Sequence, residues 1–319
     1  MALTLDRKTI DSAGVFLVGE LDRLDSRLYV PLVDTAWSRD IDVRTDVSIS
    51  DETTSYILST YGVTGGVTPT GKNWLNPEVT AIPGVSVDGA RHTTPLYPWA
   101  LELSYDAIEL ARSMRLNRPL DAQKLTGLNL KHQMDVDEMV YVGDTEVAAT
   151  GLLNSPVVTI IPASTKAGGG TAWANATPDE ILADVNLLLT TAWQNSGYTI
   201  APSKLILPAQ QYGVLVSRKV SDAGNVSVLQ YVLENSIATR INGRPLDIQP
   251  SKWNAGAGAG NTDRAAAYTQ NEEYLRFPYV PLIRSPQYQI QLRTGVVYYG
   301  LLGEVEIPRP ETILYMDGI

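Results

Sequence analysis

The sequence predicts an α+β fold in which segments far apart along the chain share a sheet. Three observations carry this. Residues 119–143 and 177–240 repeat apolar side chains at helical spacing. Stretches before them, "SYILSTYGV" (55–63) above all, are rich in Tyr, Ile, Leu and Thr. The C-terminal run "YQIQLRTGVVYYGLLGEVEIPRPETILYM" (288–316) is again of β type. Strands flank a helical middle instead of alternating with helices one for one, which is the α+β pattern.

The elements follow in chain order. Leu17, Leu21, Leu24 and Leu28 form a stripe on one face of a short helix stopped by Pro31. That face fits either a core or an arm packed on a neighbouring subunit. From Val47 to Tyr61 the composition is that of a strand. Residues 62–98 then hold six glycines and five prolines, interrupted by the short β candidates "EVTAI" and "GVSVDG". Loops longer than about 12–15 residues are uncommon inside a compact domain. This one also carries Trp74, Leu75, Val79 and Ile82, so a partner subunit is the simplest thing to order it.

Trp99, Leu101 and Leu103 alternate as a strand, and a helix is expected from about Ser104 to Leu116. Pro119 suits the first residue of a second helix, running to about Val142 and about 35 Å long. Leu125, Leu128, His132, Val136, Met139 and Gly143 mark its apolar face. Thr177-Pro178-Asp179-Glu180 is a capping box that opens a helix ending at Gly197. "KLILP" (204–208) is a buried strand and "AQQYGVLVSRKV" a helix. Asn225 is placed to cap a helix over "VSVLQYVLENSIATR". "RPLDIQPS" and "RAAAYTQ" are strands, with "NAGAGAGN" (254–261) as a flexible surface loop between them.

Composition narrows the function. The chain has 319 residues, 44% of them apolar, enough for a sizeable core. With 25 basic and 35 acidic residues its formal charge is −10, which argues against a tight grip on a nucleic-acid backbone. Without cysteine there is no disulfide, zinc-thiolate site or thiol nucleophile. The first residues do not read as a signal peptide, and no apolar run approaches the roughly 20 residues that span a bilayer. No membrane association is expected.

The motifs that suggest chemistry fail on their context. "GVTPTGKN" (66–73) lies one residue from a phosphate-binding loop, but Asn73 replaces the magnesium-binding hydroxyl. Pro69 removes a cradling N–H, and Pro77 opposes the helix that should follow. Gly256, Gly258 and Gly260 alternate and so miss the dinucleotide spacing. Two distant histidines, His92 and His132, make no metal cluster, and His132 is expected to pack on the long helix's apolar face. The Asp135/Asp137/Glu138 run reads as a solvated helix face. No catalytic residue, cofactor or metal is assigned. The six tryptophans are scattered, and they leave open a β-rich carbohydrate-active protein.

The order of features, with Tyr141-Val142-Gly143-Asp144, Gly151-Leu152-Leu153-Asn154-Ser155-Pro156 and "LELSYDAIELARSMRLNRPLDAQK" (101–124), resembles the major capsid proteins of tailed bacteriophages with the Hong Kong 97-type fold. The resemblance implies an N-terminal arm (1–45) and an extended β loop with flanking strands (46–100). It implies a peripheral domain with its spine helix (101–159), an axial domain (160–270) and C-terminal strands returning to the peripheral domain (271–319). It further implies self-assembly into pentamers and hexamers of an icosahedral head, built in the host cytoplasm and residing in the virion. Packaged double-stranded DNA would be touched weakly and non-specifically. Scaffolding, portal and decoration proteins are further expected partners. Lys72, Trp74 and Leu75, with Leu17, Leu21 and Leu24, are the candidate contacts between subunits. Some members of this fold weld neighbours through a Lys–Asn isopeptide bond. Lys72 could be the lysine, but no Asn occurs from Glu272 to Ile319, and the bond is not expected. An encapsulin-like nanocompartment is the alternative on the same fold.

Overall fold

The computed structural model describes residues 31, 33–64, 84–109, 120–220 and 225–319. From Thr35 onward these belong to one compact unit. In chain order come helix α1 (Trp37–Asp40) and strands β1 (Asp42–Arg44), β2 (Thr53–Thr64) and β3 (Gly84–Asp106). Helix α2 (Leu120–Tyr141) follows, then β4 (Gly143–Asp144), β5 (Ala149–Thr150) and β6 (Thr159–Pro162). Next are α3 (Pro178–Asn195), β7 (Lys204–Pro208), α4 (Ala209–Ser217), α5 (Val228–Asn235) and α6 (Ile237–Asn242). The chain closes with β8 (Asp247–Ser251), β9 (Arg264–Tyr268), β10 (Arg276–Arg284), β11 (Tyr288–Ile290), β12 (Arg293–Gly303) and β13 (Ile313–Asp317).

Two sheets organise the chain. One runs β1-β10-β12-β3-β2, with β11 paired to β12. The other runs β6-β13-β9-β7-β8 and mixes parallel and antiparallel pairs. The expected sharing of a sheet by distant segments is thus observed, since β13 pairs with both β6 and β9.

The second sheet is a partition between two cores. Successive strand residues point to opposite faces. Leu205, Leu207, Ala265, Ala267, Leu314 and Met316 join one core with Ile181, Val185 and Leu188 of α3. Ile206, Ala266, Tyr268, Ile313 and Tyr315 join the other with Val136, Met139 and Val140 of α2. With both faces covered, β7, β9 and β13 are buried along their whole lengths. That explains their continuous apolar character.

Charges buried beside these cores are paired. Lys166 pairs with Asp184, which also accepts from the Trp173 indole at 2.9 Å and the Ser164 N–H at 3.2 Å. Arg264 holds Asp317 through two bonds of 2.6 and 2.8 Å and donates to the Leu153 carbonyl. Lys204 lies 3.1 Å from Asp40, which also accepts from Arg39 and the Tyr141 hydroxyl. Burial by itself would raise the Asp40 carboxyl, but Arg39, Tyr141 and Lys204 outweigh it and hold the group below its ordinary value.

Several sequence expectations hold. The capping box at Thr177 and Glu180 is present, and α2 spans nearly its expected range. Others are corrected. The Gly/Pro stretch is not a loop with short strands where it is described: β3 is one 23-residue strand running through Pro95 and Pro98. It pairs first with β2 and then with β12, so each proline costs the ladder only one donor. The helix expected from about Ser104 begins slightly later, at residue 107, because β3 continues to Asp106, opposite Arg293; the rest of its expected span, to Leu116, lies outside the described residues.

The helix expected over 226–240 is two, α5 and α6. Ser227, not Asn225, caps the first, accepting from the Gln230 N–H. Ser236 ends it and caps the second. The 254–261 loop is pinned rather than flexible. The buried Asn254 amide donates to the Ile206 and Arg264 carbonyls, and the Gly256 and Ala259 N–H groups donate to Asp263 and Asp317.

Candidate assembly interface

The long helix is the frame. Its C-terminal carbonyls would be orphaned, and the segment Gly151-Leu152-Leu153-Asn154 satisfies them. The Leu152 N–H donates to the Val140 carbonyl at 2.7 Å and the Leu153 N–H to that of Tyr141 at 3.0 Å. The Asn154 side chain donates to the Val142 carbonyl at 2.5 Å and accepts from the Gly151 N–H at 2.6 Å. Leu152 and Leu153 are themselves buried. A Cβ on Gly151 would lie 2.5 Å from the Tyr141 carbonyl, so only glycine lets the two backbones approach this closely. Gly143, at φ +75°, makes the turn that follows the helix.

Of the acidic run on this helix, Glu138 is exposed as read, but Asp135 and Asp137 are engaged within the fold, which corrects the sequence reading. Gln133, Asp135 and Asp137 accept the indole N–H groups of Trp37, Trp99 and Trp253, at 2.9, 2.9 and 2.7 Å. Asp137 is buried, accepts from the Ala36 and Trp37 N–H groups and pairs with Lys252 at 3.0 Å. One helix therefore ties three distant segments. The signal lay in the tryptophans: buried indoles need acceptors, and these acids are what a nearby helix offers. His132 is buried with its ring edge-on to Trp99 at 4.8 Å, as expected. Burial holds its pKa below the usual histidine value, only partly offset by the charge of Asp135.

From this frame projects the β2–β3 hairpin. Its base is anchored on Glu306, a buried carboxylate. Glu306 accepts from Thr54 Oγ1 at 2.6 Å, from Arg276 at 2.6 Å and from Arg44 at 3.1 Å. The Thr54 and Thr94 hydroxyls bond to each other at 2.7 Å across the two strands. The hydrogen bond to Asp46, then the charge of Glu306, raise the Arg44 pKa against the opposing effect of burial. The hairpin's root is thus a fully paired polar lock.

Beyond the root the hairpin is two-faced. Directly opposed residues share a face of an antiparallel pair. Thr54/Thr94, Tyr56/His92, Leu58/Ala90, Thr60/Asp88 and Gly62/Ser86 form a mostly polar face. Ile57/Arg91, Ser59/Gly89, Tyr61/Val87 and Val63/Val85 form the other. That second face is apolar and open: Ile57 is 69% exposed, Tyr61 76%, Val85 73% and Val87 64%. Covering such a side chain fully is worth about 1.5–3 kcal/mol, and nothing in the described chain covers these.

The sequence candidates Lys72, Trp74 and Leu75, with Leu17, Leu21 and Leu24, lie outside the described residues. Sequence reading missed Ile57, Tyr61, Val85 and Val87 as a set. The period-two alternation of "YILSTYGV" and "GVSVDG" is legible in each strand, but not that the two pair in register. Four of the described tryptophans are committed to the fold: Trp37 and Trp173 are buried, and Trp37, Trp99, Trp173 and Trp253 donate their indole N–H groups within it. Among the described residues no group of three or more His, Cys, Asp or Glu is arranged to hold a metal. No described helix is long and apolar enough to cross a membrane.

Comparison with solved structures finds this fold, two cores and a projecting hairpin, in other proteins. The chain is similar to the subunit in the capsid of Myoviridae phage XM1, with 18% identity over 94% of this chain and 98% of that one, at a TM-score of 0.76. It is also similar to the subunit in the capsid of the native GTA particle (14% identity, 99% of both chains, TM-score 0.62) and to a chain in the structure of Mycobacterium phage Ogopogo (12%, 94% and 98%, TM-score 0.56). Comparison with curated protein sequences finds no significant match. The chain belongs to the major capsid protein family, whose family model matches residues 71–319. It is a structural capsid protein, and the expected tailed-bacteriophage major capsid protein with the Hong Kong 97-type fold holds.

Proposed function

We propose that the chain assembles as pentamers and hexamers into the icosahedral head of a tailed bacteriophage, with the β2–β3 hairpin as the limb that grips a neighbouring subunit. The observation that carries this is the open apolar face of Ile57, Tyr61, Val63, Val85 and Val87. A face of this kind on a folded subunit marks a protein contact. In a closed symmetric assembly many modest contacts of one type reinforce each other. The domain plan goes with this reading: an arm over 1–45, the extended loop and its strands over 46–100, and a peripheral domain on the spine helix over 101–159. An axial domain spans 160–270, and the closing strands cover 271–319. Lys72, Trp74 and Leu75 belong to the same limb, and Leu17, Leu21 and Leu24 to the arm, as further contacts.

The role is non-enzymatic. Double-stranded DNA is enclosed with weak, non-specific contact, consistent with a net charge of −10. Assembly takes place in the host cytoplasm, with scaffolding, portal and decoration proteins as partners. Electron microscopy of the expressed chain, together with the nucleic-acid content of particles from infected cells, tests this. Closed shells of fivefold and sixfold capsomers that hold DNA are expected. Monomers under every assembly condition, or shells filled with an enzyme cargo, would overturn it.

A further inference from the structure

One buried ion pair stands apart from the others in its chemistry. Lys166 and Asp184 meet beside the core that packs on α3, with side chains 1% and 0% exposed. Lys166 lies on the loop that follows β6, and Asp184 on the buried face of α3. Ala163, Trp173, Ile181, Val185 and Leu188 belong to this core. A primary amine and a carboxyl carbon are thus held together away from solvent.

The other buried pairs differ. Arg264, which holds Asp317, carries a guanidinium that stays protonated and makes no amide. Lys204 is shared between Asp40 and Asp247, and Asp40 is also held by Arg39. Asp184 pairs with no second cation among the described residues. Its further contacts are neutral donors, the Trp173 indole N–H at 2.9 Å and the Ser164 N–H at 3.2 Å. Fixed N–H groups on carboxyl oxygens are what stabilises the oxyanion of an acyl transfer. A second carboxylate, Glu180, lies one turn earlier on α3. It accepts at 2.6 Å from the N–H of Ala167, the residue after Lys166. Helix positions four apart share a face, so Glu180 and Asp184 both address the Lys166 loop.

We infer that Lys166 and Asp184 join in an isopeptide bond inside each subunit, tying the loop after β6 to α3. The step needs no co-reactant. An ammonium proton passes to the carboxylate, and the neutral amine swings from the edge of the carboxyl group to its face. The bond from Lys166 Nζ to Asp184 Cγ forms while the Trp173 and Ser164 N–H groups hold the oxyanion. Glu180 takes a proton from the nitrogen and returns it to the departing oxygen. The Cγ–O bond breaks and one water leaves. Fixed placement makes the condensation unimolecular, and a neutral amide replaces an ion pair that is costly to desolvate. The bond links no neighbouring copy and is independent of the assembly reading.

Lys131, Lys166 and Lys204 are consecutive trypsin sites. The folded full-length chain is weighed intact by mass spectrometry, then unfolded and digested. The expected mass is one water below that of the sequence. Residues 132–204 should stay together after digestion, also one water light, because trypsin needs a free lysine at 166. Lys166→Arg keeps the cation but cannot form the bond. It should show full mass and release 132–166 and 167–204 separately. Glu180→Gln, which keeps a capping side chain, should raise the fraction at full mass soon after synthesis. A folded parent chain that keeps full mass on prolonged incubation and is cut at Lys166 would overturn the inference.

Discussion

The five-stranded sheet and the β2–β3 hairpin are built from similar residues and meet opposite fates. In β7, β9 and β13 every residue is buried, and their apolar side chains from 205–207, 265–268 and 313–316 alternate between two cores. In the distal hairpin, Ile57, Tyr61, Val85 and Val87 are open. Strand propensity is much the same in both places. What differs is whether the chain supplies a cover from its own length. The sheet's stability is therefore set within the subunit, and the hairpin's apolar surface is left uncovered by the described residues.

Substitutions that break the sheet side should act on the free subunit, and the largest effect falls on buried charge. Lys166→Met leaves Asp184 buried without its cation. It should cost about 3–5 kcal/mol, read by urea unfolding of dissociated subunits. Next is Gly151→Ala, which forces a Cβ onto the backbone of Tyr141 and Val142. Loss of about 1–3 kcal/mol is expected, with faster hydrogen exchange at the Leu152 and Leu153 amides.

Acid should weaken the body through the same buried groups. The Asp317 carboxyl is held low because Arg264 and the Ala259 N–H outweigh the effect of burial, and Asp40 is held low by its own partners. Their contribution is fully present above the unfolded aspartate value of about 3.9 and is lost as pH falls from there through the folded values. His132 adds a shallower loss below about pH 6.5, because the unfolded chain takes up a proton that the buried ring resists. His132→Phe should flatten that part of the thermal-midpoint profile between pH 7 and 5 and leave the acid limb unchanged.

The smallest effect on the subunit is expected where the effect on assembly is greatest. Tyr61→Ser with Val87→Ser should change free-subunit stability by no more than about 0.5 kcal/mol, since both side chains are already in solvent. Shell yield by light scattering should fall sharply. A drop in subunit stability instead would place the hairpin face inside the fold.

Much of the fold was legible because local chemistry and tertiary structure agreed. Thr177 with Glu180 announced a helix start, "KLILP" a buried strand, and the 3.6-residue repeat the spine helix. The motif at Gly151–Asn154 could be quoted as part of a resemblance, but its work as a cap on α2 could not be read. That role depends on a chain reversal bringing backbone beside backbone. The acids at 135 and 137 misled because their partners, Trp99, Trp253 and Lys252, are far away in sequence. The Gly/Pro count likewise hid β3, because pairing with β2 along one half and β12 along the other overrides local propensity. The apolar limb face needed the β2–β3 register, which neither strand's own sequence contains.

Hydrogen exchange measured on free subunits and on assembled shells under one buffer bears on the central claim most directly. Amides of residues 57–64 and 84–91 should slow markedly on assembly, while those of β9 and β13 exchange equally slowly in both states. Hairpin amides exchanging at the same rate in subunit and shell would contradict the account.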